Sequence, residues 1–191
     1  MNILSNAGTI VAIVIGVVLV VLIFWYIGVY NRLKQLNEKV NESESGIDVA
    51  LQKRFDELTK MLDVTKGYAK HEAETLEKTI QLRSGKVSEA TMAEKAELSG
   101  QLDKLASGLN VVVERYPELK ADNLFKNLQL SITDVEEHLQ ASRRLYNANV
   151  NQLNRSIIIF PNSIVASISH IAKRDYFEAE DKKKEDPKME F

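Results

Sequence analysis

Apolar side chains fill every position from Ile10 to Tyr30 except two glycines, in the run "IVAIVIGVVLVVLIFWYIGVY". About 20 residues of helix cross a hydrocarbon core of roughly 30 Å, so this stretch is long enough to span a bilayer. A cleaved secretory signal is the competing reading. No basic segment precedes the run, its length exceeds a signal's apolar core, and it ends in aromatics rather than a small-residue cleavage site. The pattern therefore predicts an uncleaved anchor. Past Tyr30 the pattern changes to single apolar residues at steps of mostly three, four or seven: Leu33, Leu36, Val40, Ile47, Leu51, Phe55, Leu58, Leu62, Ala69, Leu76 and Ile80. That is one stripe of an amphipathic helix. The first proline is Pro117, so a single helix is expected from the anchor to about Arg83, with Gly46 and Gly67 absorbed by packing.

Two more stripes follow. "RSGKVSE", residues 83–89, reads as a turn, with Gly85 as a C-cap and Ser88 as the next N-cap. Leu98, Leu102, Leu105, Leu109, Val112 and Tyr116 then mark a second helix, closed by Pro117. Leu124, Leu128, Ile132, Val135, Leu139, Tyr146, Val150, Leu153 and Ile157 mark a third, stopped at "FPNS". A short fourth helix, "NSIVASISHIAK", places Ile164, Ile168 and Ile171 on one face. The expected fold is all-α: a transmembrane helix continuous with the first helix of an antiparallel helical bundle. The expected organisation is a short N-terminus at 1–9, the span at 10–30, the bundle at 31–177 and a charged, disordered tail at 178–191.

Charge adds orientation. No charged residue precedes Arg32, while Arg32, Lys34 and Lys39 follow the span directly. The positive-inside rule then places the C-terminal side in the cytoplasm and the N-terminus outside. Phe24, Trp25, Tyr26 and Tyr30 sit where an aromatic interface belt belongs, next to Arg32 and Lys34. The net charge of −2 and the mixing of acids with bases argue against nucleic acid as a partner. The absence of cysteine excludes disulfides, thiolate zinc sites and a thiol nucleophile.

Candidate chemistry is sparse. "KHEAET" around His71 looks like the start of a zincin helix, but position 75, where the second ligand would stand, is Thr75. No Glu stands three residues before His71 or His170, as a carboxylate-bridged di-iron bundle would require, and Val135 stands there before His138. There is no G-x-S-x-G and no phosphate-cradling glycine loop. No catalytic, metal or cofactor site is expected. Two features remain as a candidate assembly or partner surface. Asn147, Asn151 and Asn154 form a strip beside the third stripe, and either fix register at a helix seam or face water as a polar shoulder. The segment 157–172, with Phe160, Pro161, Ile164 and Ile168, is strongly apolar. Its readings, in order of preference, are a bundle cap, an exposed interface and a membrane contact.

In chain order, "YNRL" after a single span, "IDVALQKRFDEL", "VTKGYAKHEAETLE", "YPELKA", "RRLYNANV" and "FPNSIVA…YFEAE" together resemble the LemA family. The resemblance covers residues 10 to 180 and implies a bacterial membrane protein with an extracytoplasmic N-terminus and a cytoplasmic helical bundle. It implies no established activity. The chain departs from the family pattern where "FDELTKML" lacks the usual Ile-Pro-Asn, and where "ESESGIDV" lacks the usual aromatic. The first departure predicts a straighter first helix. The functional expectation is a non-enzymatic, membrane-anchored scaffold of the bacterial cytoplasmic membrane, assembling as a homo-oligomer and organising or shaping the bilayer. The alternative is an adaptor or regulator of an unidentified membrane protein, such as a protease or an envelope-stress component. A metal-dependent His/Glu enzyme is a distant third.

Overall fold

The computed structural model describes residues 2–79 and 87–178, with side chains from 10 to 77 and from 87 to 178. Among these residues there are six α-helices, one 3-10 turn and no strand, as the all-α reading expects. The helices are α1 (Asn2–Lys66), α2 (Lys70–Thr79), α3 (Met92–Arg115), α4 (Pro117–Ala121), α5 (Asn123–Ile158) and α6 (Asn162–Ile168), with the 3-10 turn at Val87–Glu89. The chain divides into two compact units. One contains α1 as far as Val40 together with Asn149–Arg174; the other contains Asn41–Ala148 and the segment that begins at Asp175.

Helix α1 carries the apolar run without a break and continues to Lys66. It is, among the described residues, the one helix long and apolar enough to cross a membrane, and none of that window is buried. It stops sooner than the sequence predicts. Gly67 and Tyr68 form a turn in which Gly67 N–H donates to Val64 O at 3.1 Å and Tyr68 N–H to Thr65 O at 3.0 Å. These tighter i→i−3 bonds end an α-helix. Glycine's unfavourable helix propensity wins here because no apolar side chain at 67 could anchor the turn to the core. The lack of a proline in "FDELTKML" does leave α1 uninterrupted there; the break comes further on.

The second unit consequently has a different topology from three long antiparallel helices. Glu44 and Asp48 of α1 meet Lys95 of α3, and further along both helices Arg54 meets Asp103, so α3 runs parallel to α1. On α2, Glu72 meets Tyr116 and Leu76 packs at Gly108, so α2 is the element antiparallel to α3. Helix α5 opposes α1: Gly46 lies beside Ser142 and Arg54 beside Glu136. The expected turn at 83–86, with Gly85, and the expected seam residue Ile80 lie outside the described residues. Ser88 does not cap α3. Thr91 does, through a capping box in which Glu94 N–H donates to Thr91 Oγ1 at 3.3 Å and Thr91 N–H to Glu94 Oε2 at 2.8 Å. Pro117 ends α3 and opens the short α4 at its first position. Asp122 accepts from Phe125 N–H at 3.0 Å and caps α5.

The seams differ from the expected stripes on all three long helices. Arg54 is buried and Phe55 only half-buried; on α3, Lys95 and Ser99 are buried while Leu98 is half-buried. On α5 the stripe starts at Phe125, leaving Leu124 57% exposed. In the first unit the core is Leu33, Leu36, Val40, Val150, Leu153, Ile157, Val165 and Ala166. Helix α6 ends at Ile168, short of the predicted "HIAK", and His170 adopts a left-handed φ of 51°. Its buried side is Val165 and Ala166, so Ile164 and Ile168 lie on the face opposite to that expected for a cap.

Candidate functional site

The membrane-facing candidates lie in the first unit. Phe24 is exposed and Trp25 is at the edge of exposure, while Tyr26 and Tyr30 are half-buried. The two tyrosine rings stack one helical turn apart, centroids 6.3 Å apart and planes 9° from parallel. Lys34 Nζ stands 5.8 Å from the Tyr30 ring centroid, within cation–π reach. Arg32 is exposed. Asn149 Nδ2 donates to Lys39 O at 3.2 Å, and the Tyr26 and Ser169 hydroxyls are 3.3 Å apart. At the turn after α5 the Phe160–Pro161 peptide is cis. Phe160 is 76% exposed, with Ile158, Ile159, Ile164 and Ile168 also exposed.

The asparagine strip has intramolecular partners. In the first unit Asn154 accepts from Arg174 N–H and donates to Arg174 O, both at 2.9 Å. In the second unit Asn147 accepts from Phe177 N–H at 2.9 Å and donates to Phe177 O at 3.0 Å. Each side-chain amide both accepts from and donates to one residue's backbone, and each pairing satisfies one N–H and one C=O. Asn151 is exposed on the same helix and also has an interaction partner. Phe177 is buried, with the Arg143 guanidinium 4.5 Å from its ring centroid, and Tyr146 donates to Asp175 O at 2.8 Å.

Periodicity did not expose the charged layer of the second unit. Lys95 Nζ is buried between Glu44 Oε1 at 2.8 Å and Asp48 Oδ1 at 2.5 Å. Arg54 is buried against Asp103 Oδ1 at 2.7 Å and Glu136 Oε2 at 2.9 Å. Arg143 donates to Ser99, and burial lowers the Arg143 pKa from its ordinary value. The signal for this layer was present as lysine, serine and arginine at stripe positions of amphipathic helices. Lys95 and Arg54 are thus each paired with two carboxylates from neighbouring helices, while the Arg143 guanidinium lies against the Phe177 ring and Ser99.

His71 is exposed on α2. Glu72, its neighbour, accepts from the Tyr116 hydroxyl at 2.7 Å, and this bond holds the Glu72 carboxyl below the ordinary carboxylate range. Among the described residues no three His, Asp or Glu side chains are grouped so as to hold a metal ion. A groove of about 460 Å³ lies between α1 and α5, with Gly46, Val49, Val135, His138 and Ser142 on its walls. Val49 is 69% exposed at its rim.

The LemA family pattern matches residues 43–191. Protein LemA of Metamycoplasma hominis is 34% identical over 145 residues, which is 75% of this chain and 66% of that protein. Magnetosome protein MamQ of Magnetospirillum gryphiswaldense is 28% identical over 69 residues, 36% of this chain and 25% of its own length. Magnetosome protein MamQ 1 of Paramagnetospirillum magneticum is 29% identical over 70 residues, 37% of this chain and 26% of its own length. The match that spans the helical unit from α1 onward, together with the breadth of the Metamycoplasma similarity, shows that this chain belongs to the LemA family.

Proposed function

We propose that this chain is a non-enzymatic, membrane-anchored scaffold of the bacterial cytoplasmic membrane. Its N-terminus lies outside, its helical unit lies in the cytoplasm, and copies assemble to organise or shape the bilayer. The observation that carries the proposal is helix α1, in which one unbroken helix holds both a long exposed apolar run and the buried seam of a packed unit. Exposed apolar residues over about 20 positions are stable in lipid and not in water. The Arg32, Lys34 and Lys39 cluster supports the orientation. The pairing of buried Lys95 and Arg54 with two carboxylates each supports a role in holding shape. Exposed Val49, Leu130 and Leu145 on the helical surfaces supply apolar contacts for other copies. The names of the magnetosome relatives give an association with a structure and not a reaction, in keeping with this reading.

A second reading, an adaptor for another membrane protein, draws on the α1–α5 groove, whose apolar walls suit an inserted side chain. Size and shape of the full-length protein in mild detergent separate the two. A large homo-oligomer supports the scaffold. A monomer that co-purifies with one stable partner protein supports the adaptor and sinks the scaffold.

A further inference from the structure

We propose that the turn joining α5 to α6 is a second, interfacial membrane contact, in which Phe160, Ile158, Ile159, Ile164 and Ile168 enter the leaflet on the C-terminal side of the α1 span. The inference rests on α1 crossing the bilayer and adds a lipid-binding surface formed by residues about 130 positions further along the chain. Within the first unit α5 runs back along α1, because Asn149 meets Lys39 and the later Ser169 meets the earlier Tyr26. Nine residues after Asn149 comes Ile158, and nine residues before Lys39 comes Tyr30. At 1.5 Å per residue both steps cover about 13 Å, so Ile158 stands level with Tyr30, where the apolar run ends. The chain does not turn away at that height. Ser169 reaches Tyr26, one helical turn further into the apolar run. Hence the exposed side chains between Ile158 and Ser169 lie at the depth of the span's own end.

Five large apolar side chains left exposed at one turn make a patch that water disfavours. Bundle packing does not explain them, because α6 already commits Val165 and Ala166 to the core and turns Ile164 and Ile168 outward. Arg155 before the patch and Lys173 after it are exposed cations, as expected where an apolar face meets anionic headgroups. A partner protein is the less suited occupant, because α1 fixes the patch at membrane height, where lipid is already present.

The single native tryptophan makes the test direct. Full-length protein is reconstituted into phosphatidylcholine–phosphatidylglycerol vesicles with bromine at a shallow acyl position. The native chain reports Trp25; a Trp25→Phe, Phe160→Trp variant reports position 160, which is 76% exposed. Brominated lipid is expected to remove roughly half the fluorescence from position 160, as for a side chain 5–10 Å into the boundary region. Quenching of Trp25 with none at position 160 overturns the interfacial contact and leaves the anchor standing. Loss of quenching at both positions overturns the anchor and the contact together. A position-160 tryptophan quenched by aqueous acrylamide instead of lipid, or shielded from both, assigns the patch to water or to a protein neighbour, and either result also overturns the proposal.

Discussion

Lys95 shows what a single residue does to this fold. A lysine that is 1% exposed is stable only if paired, and α1 supplies Glu44 and Asp48 one turn apart to hold it. Removing the cation leaves two carboxylates facing each other across one helical turn. Lys95→Ala is therefore expected to destabilise the protein by about 3 kcal/mol, the lower end for a broken buried pair because both acids retain some solvent contact. Denaturant titration followed by helical circular dichroism checks it, and an unchanged midpoint would show the pair to be idle.

A gentler residue-scale coupling joins Glu72 to Tyr116. The hydrogen bond lowers the Glu72 pKa and raises the Tyr116 pKa from its ordinary value. Glu72 contributes stability above its unfolded pKa of about 4.3 and loses it as pH falls through the lower folded value. Tyr116 contributes below its unfolded pKa of about 10 and loses its share as pH rises through the higher folded value. The contribution is thus flat through neutral pH and fades at both ends. In Tyr116→Phe, Glu72 is expected to titrate at a higher pH by carboxyl NMR. Asp122, lowered first by Phe125 N–H and then by Tyr68, should keep its own midpoint. A Glu72 midpoint unmoved by the substitution would rule out the hydroxyl as the cause.

At the scale of elements, α2 is held to α3 by a close approach. A Cβ built on Gly108 would collide with Leu76 Cδ2, so the leucine side chain must change rotamer or α2 must move away. Gly108→Val should push α2 off and cost about 1–3 kcal/mol, as overpacking does, whereas Gly108→Ala with Leu76→Ala should restore much of the fit. Amide hydrogen exchange across Lys70–Thr79 reads the effect; faster exchange confined to α2 is expected, and equal loosening of α5 would point to a global defect. This is also where sequence reading reached its limit. The membrane run, the α5 stripe and the proline stops were legible because each is local and periodic. The break at Gly67 was not, since glycine's small propensity deficit decides the outcome only when tertiary contacts fail to oppose it. The Asn147 and Asn154 pairings were illegible for another reason. Their partners lie 30 and 20 residues downstream in a segment without regular structure, and no periodicity marks them.

For the molecule as a whole, the question with most consequence is which side of the membrane holds the helical unit. The positive-inside rule counts Lys and Arg close to a span, and here all of those in the adjoining sequence lie on one side, at Arg32, Lys34 and Lys39. The long C-terminal part carries acids and bases in near balance and adds little to that bias. A chain without cysteine allows each introduced thiol to report alone. Ile3→Cys is expected to react with a membrane-impermeant maleimide in intact cells. Ser107→Cys, at an exposed position on α3, should react only after lysis. The reverse pattern would turn the protein over and place the helical unit, with any assembly it forms, on the outer surface. Exchanging Arg32, Lys34 and Lys39 for glutamine should erode the preference, so that both sites label partially in intact cells. If labelling stays one-sided in that variant, topology is set by something other than these cations.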